Sequence, residues 1–91
     1  MDVVELDKVI KELRTMPVHI RRKLIGWAKA VELKGLQNVR KMSGYHDEPL
    51  LGSRRGQRSV RLSWSYRAIY ILNKNEEQNI VSVIKVSRHD Y

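Results

Sequence analysis

The sequence predicts an α+β fold in which two N-terminal helices pack on one face of a small antiparallel sheet. Apolar residues recur at helical spacing up to Gly35, whereas after Gly56 they fall at alternate positions, as in strands. A chain of 91 residues buries only about 60–65% of its unfolded surface on folding. We therefore expect a single domain over residues 1–91, with its function on the surface of one core.

The first helix is predicted from Asp2 to Leu13. Asp2 and Glu5 have the spacing of an N-terminal capping box, in which a side chain at each position binds a free backbone N–H. The apolar residues of this segment fall on one helical face: Leu6, Val9, Ile10 and Leu13.

A second helix is predicted after Met16-Pro17, because the missing N–H of a proline is not needed in a first helical turn. Its end is predicted at Lys34-Gly35, a cationic last turn followed by a glycine. From Leu36 to Gly44 the spacing indicates a further helical turn. The apolar stripe of the second helix consists of Ile20, Leu24, Trp27, Ala28 and Val31.

The segment from Tyr45 to Gly56 is predicted to be a loop, since it contains one proline and two glycines. Pro49 is compatible with a sheet edge, where its lost donor does no harm. We expect Leu50 and Leu51 to anchor this loop to the core.

Three antiparallel strands are predicted after Gly56. The first alternates apolar residues with serine and arginine and ends at a turn over residues 63–65; the second, over residues 67–72, is apolar at both parities and therefore central. A polar loop over residues 73–79 leads to the last strand, Ile80 to Val86. The alternating apolar positions of the first strand are Val60, Leu62 and Trp64.

Positive charge is concentrated in the strand region. The chain has 18 lysines and arginines against 10 acidic residues, a net charge of +8, yet no acidic residue lies between Glu48 and Glu76. Guanidinium groups suit phosphate, because they can donate two parallel hydrogen bonds. The alternative is a solvated edge that opposes strand pairing. The cations of this interval are Arg54, Arg55, Arg58, Arg61, Arg67 and Lys74.

Strand alternation divides these arginines. Arg61 has the opposite parity to Val60, so we expect it on the sheet face away from the helices, whereas Arg58 has the other parity at the start of the strand. Such a face predicts nucleic-acid binding. Aromatic residues near it are candidates for stacking on unpaired bases, with Tyr70 more typical of a core residue: Tyr45, Tyr66, Tyr70 and Tyr91.

Several classes of function are excluded or disfavoured. The chain has no cysteine, which excludes disulfides, thiolate zinc sites and a cysteine nucleophile. Its three histidines lack metal-like spacing, and no phosphate-binding glycine loop or nucleophile elbow occurs. We expect no metal, no cofactor and no membrane association. The absence of a signal-like N-terminus favours the cytoplasm.

Metal-free RNA cleavage needs proton carriers beside cations. His89, followed by Asp90 and Tyr91, is the first candidate, because an imidazole titrates near neutral pH. His46 is either a second acid or base or a hydrogen-bonding loop residue. His19 is assigned to a solvated helix face.

Residues 50–62 and 66–70 resemble the signature of HigB-type toxins of the RelE/ParE superfamily. The shared theme is Leu-x-Gly-x-Arg-x-Gly-Gln-x-Ser-x-Arg, from Leu50 to Arg61, followed by an Arg-x-x-Tyr strand at Arg67 and Tyr70. The resemblance implies the toxin of a type II toxin–antitoxin module. Such a toxin cuts mRNA in the A site of the small ribosomal subunit and is neutralised by a cognate antitoxin protein.

By position, the resemblance implies that Arg61 and Arg67 contact the scissile phosphate and that His89 and Tyr91 transfer protons. Asp90 would orient His89 or support the 2′-hydroxyl. Two features depart from the family: no initial strand is predicted, and the tail ends His-Asp-Tyr rather than Asp-Tyr-His. The residues implied to grip the RNA backbone are Arg54, Arg55 and Arg58. His46 and Tyr45, chosen for their place beside the basic region, are further candidates for RNA binding.

Two other functions are compatible with the sequence. ParE-type members of the superfamily are gyrase inhibitors that cut nothing, and a plain RNA-binding module would have the same basic face without catalysis. The tail distinguishes them, since a ribonuclease needs proton carriers beside the arginines. His89 and Tyr91 therefore favour the enzyme.

Overall fold

The structure, a computed structural model, describes residues 1–75 and 77–88. Along these residues the helices are α1 (Ile10–Thr15), α2 (Val18–Lys34) and α3 (Leu36–Arg40). The strands are β1 (Asp2–Glu5), β2 (Glu48–Pro49), β3 (Gln57–Arg61), β4 (Tyr66–Lys74) and β5 (Asn79–Arg88).

The strands form one sheet in the order β1-β5-β4-β3-β2, in which β1 runs parallel to β5 and the other neighbours are antiparallel. Helix α2 packs on one face, where the Trp27 and Tyr70 rings lie 5.3 Å apart at 44°. The predicted α+β class is confirmed, with an edge strand on each side added to the three predicted strands, one of them parallel to its neighbour. The largest fully buried side chains are Trp27, Tyr70, Ile20, Leu24, Val9, Val31, Val39, Val60, Val81 and Val83.

The N-terminal segment differs from its prediction, because Asp2–Glu5 is a strand and not the start of a helix. Asp2 accepts hydrogen bonds from the backbone N–H of Leu36 (2.6 Å) and from Asn79 Nδ2 (2.8 Å). These two bonds, first that of Leu36, lower the pKa of its carboxyl. The carboxylate thus joins distant elements instead of capping a local helix, and the supposed lack of an initial strand was wrong.

The predicted limits of α2 are confirmed. The helix follows Pro17 and stops at Gly35, whose φ of 86° suits a residue without a Cβ. The next helical turn, predicted after Leu36, is α3. No described helix is long and apolar enough to span a bilayer.

The loop before β3 is partly as predicted. Pro49 lies in the edge strand β2, where its missing N–H is harmless. Leu50 is half-buried and its N–H donates to the Gln57 carbonyl (2.9 Å). Leu51, however, is 84% exposed, because the chain turns into the 3-10 segment Gly52–Arg54, so its expected anchoring role was wrong.

Register assigns the residues of β3 and β4 to two faces. Arg58 lies opposite Tyr70 and Val60 opposite Ala68, and these positions face the helices, since Tyr70 contacts Trp27. The alternate positions form what we call the open face. Trp64 does not continue the buried alternation: β3 ends at Arg61, and Trp64 is 75% exposed in the turn. The open-face residues used below are Ser59, Arg61, Arg67, Ile69 and Ser87.

Candidate functional site

Arg67 lies at the centre of the open face. Its Nη1 donates to Ser59 Oγ (2.9 Å) and lies 3.5 Å from Glu48 Oε1. Strand register produces this arrangement, because Ser59 is the residue on β3 that pairs with Glu48 of β2. The Arg67 side chain is 14% exposed, so it is held by neighbours yet still reaches the surface.

Glu48 is a candidate functional residue that sequence reasoning missed. Its other carboxylate oxygen, Oε2, lies 3.5 Å from His46 Nε2. His46 is exposed and has a left-handed backbone, with φ 46° and ψ 51°, which directs the chain from the 3-10 turn into β2. His46, Glu48 and Arg67 therefore form a continuous row of imidazole, carboxylate and guanidinium.

A signal for Glu48 was present in the sequence. Pro49 identified this segment as a sheet edge, and the residue beside it could have been assigned a face by alternation. A carboxylate that is 48% exposed between a cation and an imidazole can accept a proton from a bound ligand. The row thus contains both a charge stabiliser and a proton acceptor.

Arg61 shares the open face with Arg67, its partner in register. Its guanidinium carbon lies 5.8 Å from the centroid of the Trp64 ring, within cation–π range. Within the described part of the chain, Arg61 Nε is buried without a hydrogen-bond partner, and no ion pair involves this arginine. The sequence prediction that Arg61 faces away from the helices is confirmed.

A cavity of about 160 Å³ opens beside Arg67. Arg54, on the 3-10 turn, reaches its wall, while Arg55 is exposed at the next position. The wall therefore combines two guanidiniums with one carboxylate and two hydroxyls. Its lining residues are Glu48, Leu50, Arg54, Ser59, Arg67, Ile69 and Ser87.

Arg58 lies on the helix-facing side, away from this cavity. Its Nε donates to Asp47 Oδ1 (2.6 Å), and Tyr70 Oη donates to Asp47 Oδ2 (2.5 Å). The Asp47 side chain is only 1% exposed. Arg40 Nε lies 3.4 Å from the same Tyr70 oxygen. Arg58 is thus held by a buried carboxylate, and its contact with RNA stays a prediction.

These contacts change two pKa values. Burial lowers the pKa of Arg58, but the hydrogen bond and charge of Asp47 outweigh it and raise that pKa. Burial, together with the hydrogen bond to Asp47, raises the pKa of Tyr70 to about 12. Both groups therefore keep their protons, which is typical of a structural network. Tyr70 is fully buried, which confirms that it is a core residue.

The remaining predicted site residues are Tyr45, which the structure describes, and the three residues of the C-terminal tail. Tyr45 is half-buried against the core, with Lys23 Nζ 5.0 Å from its ring centroid, so its stacking on RNA stays a prediction. His89, Asp90 and Tyr91 lie outside the described residues. The chain enters that tail from β5, where Ser87 pairs with Arg67.

A second cavity, of about 300 Å³, lies at the other end of β4. Its wall includes Asp2, Arg40 and Lys74, and Asp2 already accepts two hydrogen bonds. It contains none of the predicted site residues. Among residues 1–75 and 77–88, no three histidine, aspartate or glutamate side chains are grouped to hold a metal ion.

Comparisons with known proteins connect this fold to toxin structures. The YoeB/ParE toxin from Agrobacterium tumefaciens is similar at a TM-score of 0.68 and 17% identity, over 99% of this chain and 98% of that one. A chain of the RelBE2 toxin–antitoxin complex from Mycobacterium tuberculosis gives 0.66 and 19%, over 96% of each chain. A chain of the YoeB–YefM complex from Staphylococcus aureus gives 0.64 and 14%, over 100% and 97%.

No family model matches the sequence, and no curated protein matches it. The structural likeness covers nearly the whole of each chain, so the RelE/ParE type of fold expected from the sequence is confirmed. Identities of 14–19% establish the fold alone. The HigB-like subtype stays a prediction.

Proposed function

We propose that this chain is the toxin of a type II toxin–antitoxin module and an endoribonuclease that cleaves mRNA in the ribosomal A site. The observation that carries the proposal is the row His46–Glu48–Arg67 on the open face. It brings a cation and possible proton carriers together, at 3.5 Å for each neighbouring pair. The likeness to toxin structures supports the same function.

The open face is suited to a phosphodiester. Arg61 and Arg67 lie side by side on neighbouring strands, and Arg54 stands at the wall of the adjoining cavity. Fixed guanidiniums stabilise the charge that develops on a phosphorane without reorganising water. Arg54 and Arg55 would hold the RNA backbone, whereas Arg58 lies on the other face and is bound by Asp47.

The proposed reaction needs no external nucleophile. The 2′-oxygen attacks the adjacent phosphorus, the bond from phosphorus to the 5′-oxygen breaks, and a 2′,3′-cyclic phosphate and a 5′-hydroxyl result. Glu48 accepts the proton of the 2′-hydroxyl, while His89 and Tyr91 deliver a proton to the leaving 5′-oxygen and Asp90 orients His89. Arg61 and Arg67 stabilise the phosphorane.

The proposal includes a partner protein and a substrate. Two of the similar structures are complexes, RelBE2 and YoeB–YefM, which supports a cognate antitoxin protein as the regulator of this chain. The substrate would be mRNA on the small ribosomal subunit, in the cytoplasm. Burial of the open face by the antitoxin would be sufficient for inhibition.

A translation assay tests the proposal. The purified protein is added to ribosomes that translate a defined mRNA, and primer extension maps the cuts; gyrase supercoiling is measured in parallel. We expect cuts within the A-site codon, slowed at least about 10²-fold by Arg67→Ala or His89→Ala. Arg22→Ala, which removes an exposed cation from α2, is the matched control and should cleave as wild type.

Two results would overturn the proposal. Intact mRNA together with inhibited supercoiling would establish the ParE-like alternative. Unchanged cleavage in both Arg67→Ala and His89→Ala would remove the mechanism.

A further inference from the structure

We infer that Trp64 is a stacking platform for an unpaired nucleobase next to the phosphate at Arg67, with Arg61 fixing the ring. The inference rests on the proposed function, since it takes RNA as the ligand. Trp64 is 75% exposed, although an indole is among the most favourable side chains to bury. An exposed tryptophan beside a phosphate-binding arginine calls for a ligand with a flat apolar surface.

The turn that carries Trp64 is well fixed. Ser63 Oγ accepts hydrogen bonds from the N–H groups of Ser65 and Tyr66, each at 3.2 Å. The Leu62 N–H donates to the Tyr66 carbonyl at 2.9 Å. These bonds close the hairpin on both sides of Trp64, so the ring is presented by a rigid turn, which lowers the entropy lost on binding.

Arg61 connects the ring to the phosphate site. Its guanidinium lies 5.8 Å from the Trp64 centroid and its backbone pairs with Arg67. A base stacked on Trp64 would then belong to a nucleotide close to the phosphate at Arg67, since a base and the phosphate of its nucleotide are separated by one sugar. Aromatic rings beside arginine are the usual platform for single-stranded bases.

The surroundings favour a base over a protein surface. The neighbours of Trp64 along the chain are Ser63 and Ser65, and protein-binding patches are contiguous and apolar. Leu51, another exposed apolar residue, lies before the start of β3, whereas Trp64 lies beyond its end. An exposed aromatic ring flanked by two serines, with the Arg61 guanidinium beside it, matches a nucleotide, with its flat base and charged phosphate.

Binding to a single-stranded RNA tests the inference. The probe is a fluorescein-labelled RNA with 2′-O-methyl sugars, which cannot be cut by 2′-oxygen attack, and its affinity is measured by anisotropy. We expect Trp64→Ala to weaken binding about 10-fold, as for the loss of one stacked base, and Trp64→Phe to stay within about 3-fold of wild type. Trp64→Leu, which keeps apolar bulk without a π face, should behave like Trp64→Ala.

A second readout uses the protein's own fluorescence. Trp27 is fully buried and Trp64 is exposed, so quenching by unlabelled RNA should report Trp64. Leu33→Ala, which truncates an 85% exposed side chain on α2, is the control and should bind as wild type. Melting temperatures check that every variant is folded.

The outcomes separate this inference from the proposed function. RNA binding that depends on Trp64 without any mRNA cleavage would leave the inference intact and refute the nuclease. Cleavage with Trp64→Ala binding as wild type would overturn the inference alone and would indicate a role such as protein docking. Equal binding by Trp64→Leu and Trp64→Phe, or no RNA binding by the wild type, would also overturn it.

Discussion

The two faces of the sheet each carry an arginine, a carboxylate and a hydroxyl, but in different environments. On the helix-facing side, Arg58 and Tyr70 both bind Asp47, at 2.6 and 2.5 Å, and the Asp47 side chain is 1% exposed. On the open face, Arg67 binds Ser59 at 2.9 Å and lies 3.5 Å from Glu48, which is 48% exposed.

This difference separates structural from functional polar groups. A carboxylate that is buried with short hydrogen bonds to its partners is inaccessible to a ligand, and its loss would leave two donors, Arg58 and Tyr70, without their acceptor. The open-face set, Arg67, Ser59 and Glu48, has longer contacts, and the difference in exposure lies in the carboxylates: Glu48 is 48% exposed and Asp47 1%, whereas the Arg67 side chain is 14% exposed. We therefore expect substitutions in the first set to change the free energy of unfolding and those in the second to change cleavage.

The largest expected effect is on the helix-facing set, which consists of Asp47, Arg58 and Tyr70. Asp47→Ala should lower the free energy of unfolding by about 3 kcal/mol, because it removes two hydrogen bonds to a charged acceptor, one from Arg58 and one from Tyr70. Urea denaturation measures the change. Glu48→Ala is the matched control and should cost less than about 1 kcal/mol, as expected for a surface pair; equal losses would contradict the comparison.

The next largest effect is on cleavage by the open-face set. Glu48→Gln should slow mRNA cleavage about 10²-fold, since the amide keeps the shape of the side chain but cannot accept the proton. Single-turnover cleavage on ribosomes gives the rate, and a thermal melt should show little change in stability. Cleavage at the wild-type rate would exclude Glu48 as the base.

Tyr70→Phe should lower stability by about 2 kcal/mol, the scale of a hydrogen bond to a charged group. The pKa of Tyr70 is raised from 10.0 to about 12, so folding favours the protonated phenol. That contribution is fully present below pH 10 and is lost as the pH rises towards 12. Urea titrations across this window should show a steeper alkaline loss for wild type than for Tyr70→Phe.

The smallest effect concerns the strand that the sequence did not predict. Asp2→Asn should cost about 1 kcal/mol, because it weakens two hydrogen bonds to a charged acceptor. Since the folded state lowers the pKa of Asp2 below 3.8, this stability is present above that pH and is lost as the pH falls through the lowered value. The difference from wild type should therefore narrow in acid; a constant difference would contradict the assignment.

Local patterns were sufficient for most of the fold. The helix stop at Gly35 and the three antiparallel strands were predictable from spacing and glycine placement. The strand at Asp2–Glu5 was not, because its apolar spacing also fits a helix and its partner, β5, begins at Asn79. Leu51 failed for a related reason: its hydrophobicity says nothing about the direction that the following turn takes.

The candidate site was predictable only in part. Alternation placed Arg61 on the correct face and gave Arg58 the opposite parity. The sequence alone, however, does not show which of the six cations between Glu48 and Glu76 have a structural role. Which of them is bound by a buried acid depends on the position of Asp47. The placement of Glu48 beside Arg67 depends on the register of β2 with β3. Both are long-range consequences of folding, which no local pattern contains.

Arg67→Lys and Arg58→Lys together show whether the two faces of the sheet have separate roles, because each variant keeps the positive charge and loses the planar guanidinium. Both are measured for mRNA cleavage on ribosomes and for unfolding in urea. We expect Arg67→Lys to cleave at least about 10²-fold more slowly with near wild-type stability, and Arg58→Lys to be less stable but to cleave normally once folded. Equal loss of cleavage in the two variants, or full activity of Arg67→Lys, would contradict this expectation.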